Sequence, residues 1–305
     1  MKVLVTGATG FIGKKLVSRL LDCDYQVVYL TSSKNMVSGV FMGAEGYYWD
    51  IAKQEIDRKA FEDVDVIIHL AGSNIGGSWS KKGKEQILSS RVDGSKLLMR
   101  VLSSIDHQVK HFIAASAIGI YRNGDNKQEE DNYVKATNFL GKVVNQWEVA
   151  NGEIEKLGID VTMLRTGLVL DKEEGALPKM IAPIKYHVGS VLGTGNQIYS
   201  WIHIDDLISM YMFLLENKEE GIFNAVAPKS ETNKVFTNTL ANVLGYKLWL
   251  PSVPSWALKL VLGQKACLVL EGQDVSCAKV VSKGFVFQFP ELQEALVDLL
   301  QVAKR

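Results

Sequence analysis

Val3-Leu4-Val5-Thr6-Gly7-Ala8-Thr9-Gly10-Phe11-Ile12-Gly13 is a short apolar run that breaks into a glycine turn. Beyond the turn, Phe11, Ile12, Leu16, Val17, Leu20 and Leu21 recur at helical spacing. The stretch therefore predicts strand, turn and helix in that order. Each glycine has a physical task. Gly7 permits the tight turn, Gly10 lets the backbone approach a pyrophosphate, and Gly13 lets the helix pack closely on the strand. The helix N-terminus adds unpaired N–H groups and the positive end of a dipole. A glycine pattern is informative when a strand precedes it and a helix follows, as here. Gly7, Thr9, Gly10, Phe11, Ile12 and Gly13 are thus the expected cradle of a dinucleotide.

The rest of the first half repeats the strand–helix alternation. Apolar runs at 27–30, 65–72, 111–116 and 161–164 read as strands. Helical patterns fall at 85–104 and 138–157. Continuous apolar strands between amphipathic helices predict a parallel sheet covered on both faces. The expected fold class is α/β, a Rossmann-type doubly wound parallel sheet with a smaller mixed C-terminal substrate region. Residues 1–170 form the expected dinucleotide-binding domain, its sheet completed by 200–228. Residues 171–199 and 229–305 form the expected smaller domain. Within it, 171–200 reads as a long irregular excursion with Pro178 and Pro183, of the sort that is often functional. Helices are expected at 205–215, 235–244, 255–262 and 291–302.

The chain has 305 residues, enough for roughly two domains. At 47% apolar and 22% charged it has a globular composition. It carries 34 Lys+Arg and 34 Asp+Glu, a formal net charge of zero. That balance argues against a nucleic-acid or anionic-membrane partner, unless a local basic patch is hidden in it. No run of 18 apolar residues suggests a membrane span. The N-terminal apolar run stops at Thr6, too short for a secretory signal. Cys23, Cys267 and Cys277 are few and scattered. They read as reduced thiols of a cytoplasmic protein, and no His/Cys cluster has metal-ligand spacing.

The glycine turn, with Leu70-Ala71-Gly72 after a later strand and Trp201-Ile202-His203-Ile204-Asp205-Asp206, resembles the extended short-chain dehydrogenase/reductases. Trp79, Ser90-Arg91, Leu164-Arg165-Thr166-Gly167-Leu168-Val169-Leu170, Gly193-Thr194-Gly195 and Phe223-Asn224-Ala225-Val226-Ala227-Pro228 narrow it. So do Leu270-Glu271-Gly272-Gln273 and Phe289-Pro290-Glu291-Leu292. Together they resemble the atypical "epimerase family protein" group, which is nucleoside-diphosphate-sugar-epimerase-like and carries its own C-terminal domain. The resemblance spans essentially the whole chain. It implies cofactor contacts at Leu70, Ala71, Gly72, Gln86 and Arg91, and at Gly167, Leu168 and Val169 near the nicotinamide end.

The end of the second strand bears on cofactor choice. An acidic residue there would bond the ribose hydroxyls and repel a 2′-phosphate. This sequence has Thr31-Ser32-Ser33-Lys34 instead. Thr31, Ser32 and Lys34 suit a phosphate, so NADP(H) is the expected cofactor. Tyr47-Tyr48-Trp49 reads as packing, with Asp50 as a minority adenine contact.

The wider superfamily's chemistry uses a Tyr-x-x-x-Lys pair, which this chain lacks, as does the atypical group it resembles. The lysine would lower the phenol pKa and the tyrosine would shuttle a proton. None of the ten tyrosines has a lysine four residues on. Aligned on Glu148, the two slots hold Leu140 and Val144. Ser116, at the strand end where the family's serine stands, and Tyr121 are the candidate catalytic groups, with Tyr133 as a further substitute acid. His203 reads as a packed structural histidine, and Asp205 and Asp206 as caps of the following helix. The expected function is an NADP(H)-binding oxidoreductase or epimerase-like protein acting on a small molecule. The alternative is a non-catalytic NADPH-sensing regulator working through a protein partner. A second copy of the chain is also open as a partner.

Overall fold

The computed structural model describes residues 1–300. They divide into two compact units. The first comprises Met1–Ala117, Asn138–Leu164 and Ile208–Ile222. The second comprises Ile118–Thr137, Arg165–Leu207 and the described chain from Phe223 onward.

A Rossmann-type doubly wound sheet organises the chain, and most of its strands lie in the first unit. The eight strands lie in the order Gly221–Ala225, Asp160–Thr166, His111–Ala117, Val66–His69, Lys2–Thr6, Gln26–Thr31, Ala44–Asp50 and Glu55–Ile56. Lys2–Thr6 pairs parallel with Gln26–Thr31 on one side, Val3 facing Val27. It pairs parallel with Val66–His69 on the other, Thr6 facing His69. Gln26–Thr31 pairs parallel with Ala44–Asp50, and Val66–His69 with His111–Ala117. The short edge strand Glu55–Ile56 runs antiparallel. The chain thus winds outward from its first strand in both directions. The glycine turn leaves the carboxyl end of that strand at the point where the winding reverses, which is where such sheets bind ligands.

Burial explains the strand pattern. Val3, Leu4 and Val5 are fully buried, as are Ile67, Ile68, Phe112 and Ile113. Strands enclosed on both faces need apolar side chains at every position rather than at alternate ones. Helix Phe11–Asp22 lays Gly13, Leu16, Val17 and Leu20 inward. Helix Lys81–Leu102 begins at Ser80, whose hydroxyl accepts the Gly83 N–H at 3.2 Å. It packs Leu97, Leu98, Val101 and Leu102 into the same core as Leu4, Val28 and Phe112. Asn138 caps helix Phe139–Gly152 by accepting the Gly141 N–H at 2.9 Å.

The second unit is a mixed region of small sheets and helices. Gly124–Gln128 pairs parallel with Gln273–Val275, and Leu168–Leu170 with Trp201–His203. Ile198–Tyr199 and Glu231–Thr232 are antiparallel. Helix Asn233–Leu244 packs on helix Leu292–Leu300. The expected C-terminal helix at 291–302 is this last one; Gln301 and Val302 lie outside the described residues. The excursion at 171–200 is less irregular than expected, because Leu177–Lys185 is helical. Pro178 stands in its first turn, where a missing N–H is no loss. Among the described residues no helix is long and apolar enough to cross a membrane.

Candidate functional site

The turn after the first strand closes through Gly10 N–H to Gly7 C=O at 3.0 Å. Gly7 has φ +70°, and a Cβ there would stand 2.9 Å from the backbone of Leu70 and Ala71. A Cβ on Gly13 would meet Gly7 C=O at 2.1 Å and Ala8 Cα at 2.7 Å. These are backbone atoms that cannot rotate away, so both positions exclude a side chain. Gly10, at the N-cap of helix Phe11–Asp22, offers no side-chain cap, which leaves the first N–H groups unpaired by a side chain.

A cavity of about 490 Å³ opens above this turn, wholly within the first unit. It is lined by Gly7, Thr9, Gly10, Phe11, Ile12 and Gly13, by Thr31 and Ser32, and by Leu70, Ala71 and Gly72. Leu30, Trp49, Ile51, Ser73, Ser90 and Ala115 complete the wall. Sequence reading missed this last group. Trp49 was read as packing, yet its strand ends beside the second strand, so its carboxyl end reaches the same rim. That adjacency was the available signal.

A buried polar chain fixes the turn from behind. The Ala71 N–H donates to Thr6 Oγ1 at 3.2 Å, and Thr6 Oγ1 lies 2.7 Å from His69 Nδ1. His69 Nε2 is 3.3 Å from Ser95 Oγ, which donates to Asn151 Oδ1 at 2.6 Å. Complete burial pushes the His69 pKa down to about 3, so the ring is neutral. One tautomer satisfies the whole chain: the Thr6 hydroxyl donates to Nδ1, and Nε2–H donates to Ser95.

Arg91 stands behind the wall and does not line the cavity. Its Nη1 donates to the carbonyls of Ser73 at 3.1 Å and Ile87 at 3.0 Å, and the guanidinium lies 5.1 Å from the Trp147 ring centre. Burial lowers its pKa to about 10, which leaves it cationic at neutral pH. A Cβ on Gly72 would sit 3.1 Å from its Cζ, so the small residue lets the strand end lie against the guanidinium. Gln86 and Lys34 are exposed and outside the lining. Lys34 Nζ lies 5.2 Å from the Tyr48 ring centre. Gly167, Leu168 and Val169 belong to the second unit.

The profile described as "NAD dependent epimerase/dehydratase family" matches residues 3–225. The chain belongs to that family. A second profile, a domain of unknown function called DUF1731, matches residues 253–299 of this epimerase/dehydratase-family chain. An epimerase family protein of Staphylococcus aureus (strain N315) is 34% identical over 302 residues, 98% of each chain. Among solved structures, the human epimerase family protein SDR39U1 (isoform 2) with NADPH superposes with TM-score 0.86 at 28% identity. That match covers 99% of this chain and 100% of the human one. A nucleoside-diphosphate sugar epimerase from Corynebacterium glutamicum gives 0.78 at 25%, over 98% of this chain and 58% of its own. A UDP-glucuronic acid 4-epimerase from Bacillus cereus, at 20% identity, TM-score 0.79 and 99% of both chains, shows the shared fold.

The two candidate catalytic hydroxyls of this epimerase-family chain both have hydrogen-bond partners inside the protein. Ser116 is buried and donates to Glu148 Oε1 at 2.6 Å. Strand alternation puts Ala115 on the cavity wall and turns Ser116 the other way. Tyr121 is fully buried in the second unit, where it donates to Asn224 Oδ1 at 2.5 Å and accepts from Arg165 Nη1 at 2.9 Å. Burial pushes its pKa up to about 12, so it stays a neutral phenol. Arg165 also donates to Tyr133 Oη at 3.1 Å and to the Glu130 carbonyl at 3.2 Å. Glu130 Oε1 in turn accepts the Asn224 N–H at 2.8 Å.

The expected helix cap at Asp206 is corrected. Its carboxylate is buried and accepts the N–H groups of Gln288 at 2.7 Å and Phe289 at 3.0 Å. His203 is a packed histidine, stacked on Phe289 with ring centres 3.9 Å apart. His203, Asp205 and Asp298 converge in a way the sequence did not reveal. Nδ1 accepts the Asp205 N–H at 3.1 Å, while Nε2 lies 3.3 Å from Asp298 Oδ2 without a hydrogen bond.

Proposed function

We propose that this chain binds NADPH in the first-unit cavity and acts as an oxidoreductase or epimerase-like protein on a small molecule. The observation that carries the reading is the cavity itself. It opens on a glycine turn where two Cβ atoms are excluded by backbone, over a helix N-terminus without a side-chain cap. A pyrophosphate needs that backbone clearance and those N–H groups. At the adenosine end, Trp49 and Ile51 offer an apolar wall, and Thr31 and Ser32 offer hydroxyls without an opposing carboxylate. That donor set suits a 2′-phosphate. The human relative's structure with NADPH supports the same choice.

Bound NADPH would supply hydride chemistry. The chain's residues would hold and orient it: Gly7, Thr9, Gly10, Phe11, Ile12 and Gly13 at the pyrophosphate, Leu70, Ala71 and Gly72 along the sugar. Arg91 acts by fixing the Ser73 carbonyl and the strand end. The hydroxyls of Ser116 and Tyr121 are both hydrogen-bonded to internal partners. That same observation favours a second reading, a sensor that binds NADPH without turnover.

The test is calorimetric titration with NADPH and NADH side by side, repeated on Ser32→Asp. The expected result is tighter binding of NADPH, with the preference falling by at least about tenfold in the variant as a carboxylate meets the 2′-phosphate. Binding of neither nucleotide would falsify the reading. NADPH oxidation against a panel of carbonyl compounds and nucleotide sugars then separates enzyme from sensor.

A further inference from the structure

Helix Ser255–Leu262, in the second unit, buries none of its residues. Trp256 is 71% exposed, Leu260 79% and Val261 82%. A helix this short normally owes its stability to an apolar stripe packed inward; here Leu258 and Leu262 are half-buried, and a second apolar set, Trp256, Leu260 and Val261, faces water. Trp249 and Tyr186, on or beside the segments that lead into the helix, are exposed as well. Four hydrogen bonds hold these segments together. Val253 N–H reaches Val191 C=O at 2.9 Å, and Gly193 N–H reaches Val253 C=O at 2.9 Å. Ser190 Oγ donates to Pro251 C=O at 2.5 Å, and Trp249 Nε1 to His187 C=O at 3.0 Å. The patch is therefore a fixed part of the fold.

Its charge is segregated. No aspartate or glutamate occurs between Glu174 and Asp205 or between Glu231 and Glu271, in a chain that is neutral overall. Lys185, Lys247 and Lys259 are exposed in these stretches. On the helix, Trp256 and Leu260 share one face four residues apart, and Lys259 flanks them.

We propose that this face docks on an anionic lipid surface. Exposed tryptophan and leucine beside lysine, with no carboxylate in the same segments, is the pattern of a helix lying in the membrane interface. Tryptophan settles at headgroup level, and the lysine stems lie along the apolar surface while their ammonium groups meet lipid phosphates. A second copy of the chain fits less well. A two-fold contact would set the same lysines against each other, and lysine is depleted at protein interfaces. No spanning helix is required. The expectation of no membrane partner rested on global neutrality, which this local segregation escapes.

The experiment is flotation of the full chain with phosphatidylglycerol/phosphatidylcholine vesicles and with pure phosphatidylcholine vesicles. Tryptophan emission and equilibrium sedimentation are recorded alongside. Anionic vesicles are expected to bind at least about tenfold more tightly, with the advantage shrinking as salt rises. The double variants Trp256→Ser/Leu260→Ser and Lys247→Glu/Lys259→Glu should each lose at least about tenfold while keeping the parent melting temperature. Absence of binding to anionic vesicles overturns the proposal. So does binding that both double variants leave unchanged. A dimer abolished by Trp256→Ser/Leu260→Ser assigns the face to a second copy. Binding of poly-glutamate without vesicle binding assigns it to an acidic protein. Either result overturns the lipid reading.

Discussion

The cavity of the first unit and the Arg165 cluster of the second are both polar sites marked by motifs, and they are built in opposite ways. The cavity is made of what is missing: Cβ atoms at Gly7 and Gly13, a side-chain cap at Gly10, a carboxylate after Thr31. Its backbone N–H groups are left for something else to satisfy. The cluster is made of what is present. Arg165, Tyr121, Tyr133, Asn224 and Glu130 spend their hydrogen bonds on one another and on nearby backbone, and Arg165 and Tyr121 are almost wholly buried. Buried polar groups that satisfy one another in this way rigidify the part of the fold that holds them.

The largest effect should come from opening the cluster. Arg165→Ala removes hydrogen bonds to two tyrosines and a carbonyl and leaves a hole, at an expected cost of about 3–5 kcal/mol in denaturant unfolding. A loss below about 1 kcal/mol would mean that the cluster does not hold the second unit together. Next comes closing the cavity. Gly13→Ala drives a methyl into Gly7 C=O, with an expected cost of about 2–3 kcal/mol and a parallel loss of NADPH affinity. Normal affinity in a stable Gly13→Ala protein would break the claim that backbone clearance makes this site.

Acid should then weaken the support behind the turn. His69 binds a proton only near pH 3 when folded but near 6.5 when unfolded. Between those values the unfolded chain holds more protons. The stabilisation is therefore complete above about pH 6.5 and declines as pH falls toward 3, by up to about 1.4 kcal/mol per pH unit. Unfolding curves at pH 7.5 and 5.5 measure it, and in His69→Gln the dependence should be shallower by about one proton. His111, also lowered by burial, contributes in the same direction. The smallest effect belongs to Tyr121→Phe, about 1 kcal/mol of stability with NADPH binding intact. If this variant abolished turnover without changing stability, Tyr121 would regain its place as an acid.

The same contrast explains what could be read from residues alone. The sheet was legible because strands buried on both faces must be largely apolar, as 3–5, 27–30 and 66–68 are. Eleven of the expected site residues reach the cavity wall, Gly7 through Gly72, because their roles depend on backbone and on adjacency to a strand end. Arg91 was marked by a motif, but its position behind the wall was not. Trp49, Ile51 and Ala115 carried no motif and came to the rim through strand order. The helix at Leu177–Lys185 was hidden by Pro178, which is a breaker in a helix interior and harmless in its first turn.

The doubly wound sheet, the glycine turn, the absence of a Tyr-x-x-x-Lys pair and the lack of a carboxylate after the second strand are all readable from the residues alone. Those are properties of spacing and residue type along one segment, and local sterics enforce them. Only the tertiary structure decided that Ser116 answers to Glu148, that Tyr121 answers to Arg165 and Asn224, and that Asp206 holds the backbone at Gln288 and Phe289. A hydroxyl or carboxylate takes its role from the partner that packing brings within about 3 Å, and that partner stands tens of residues away in the chain.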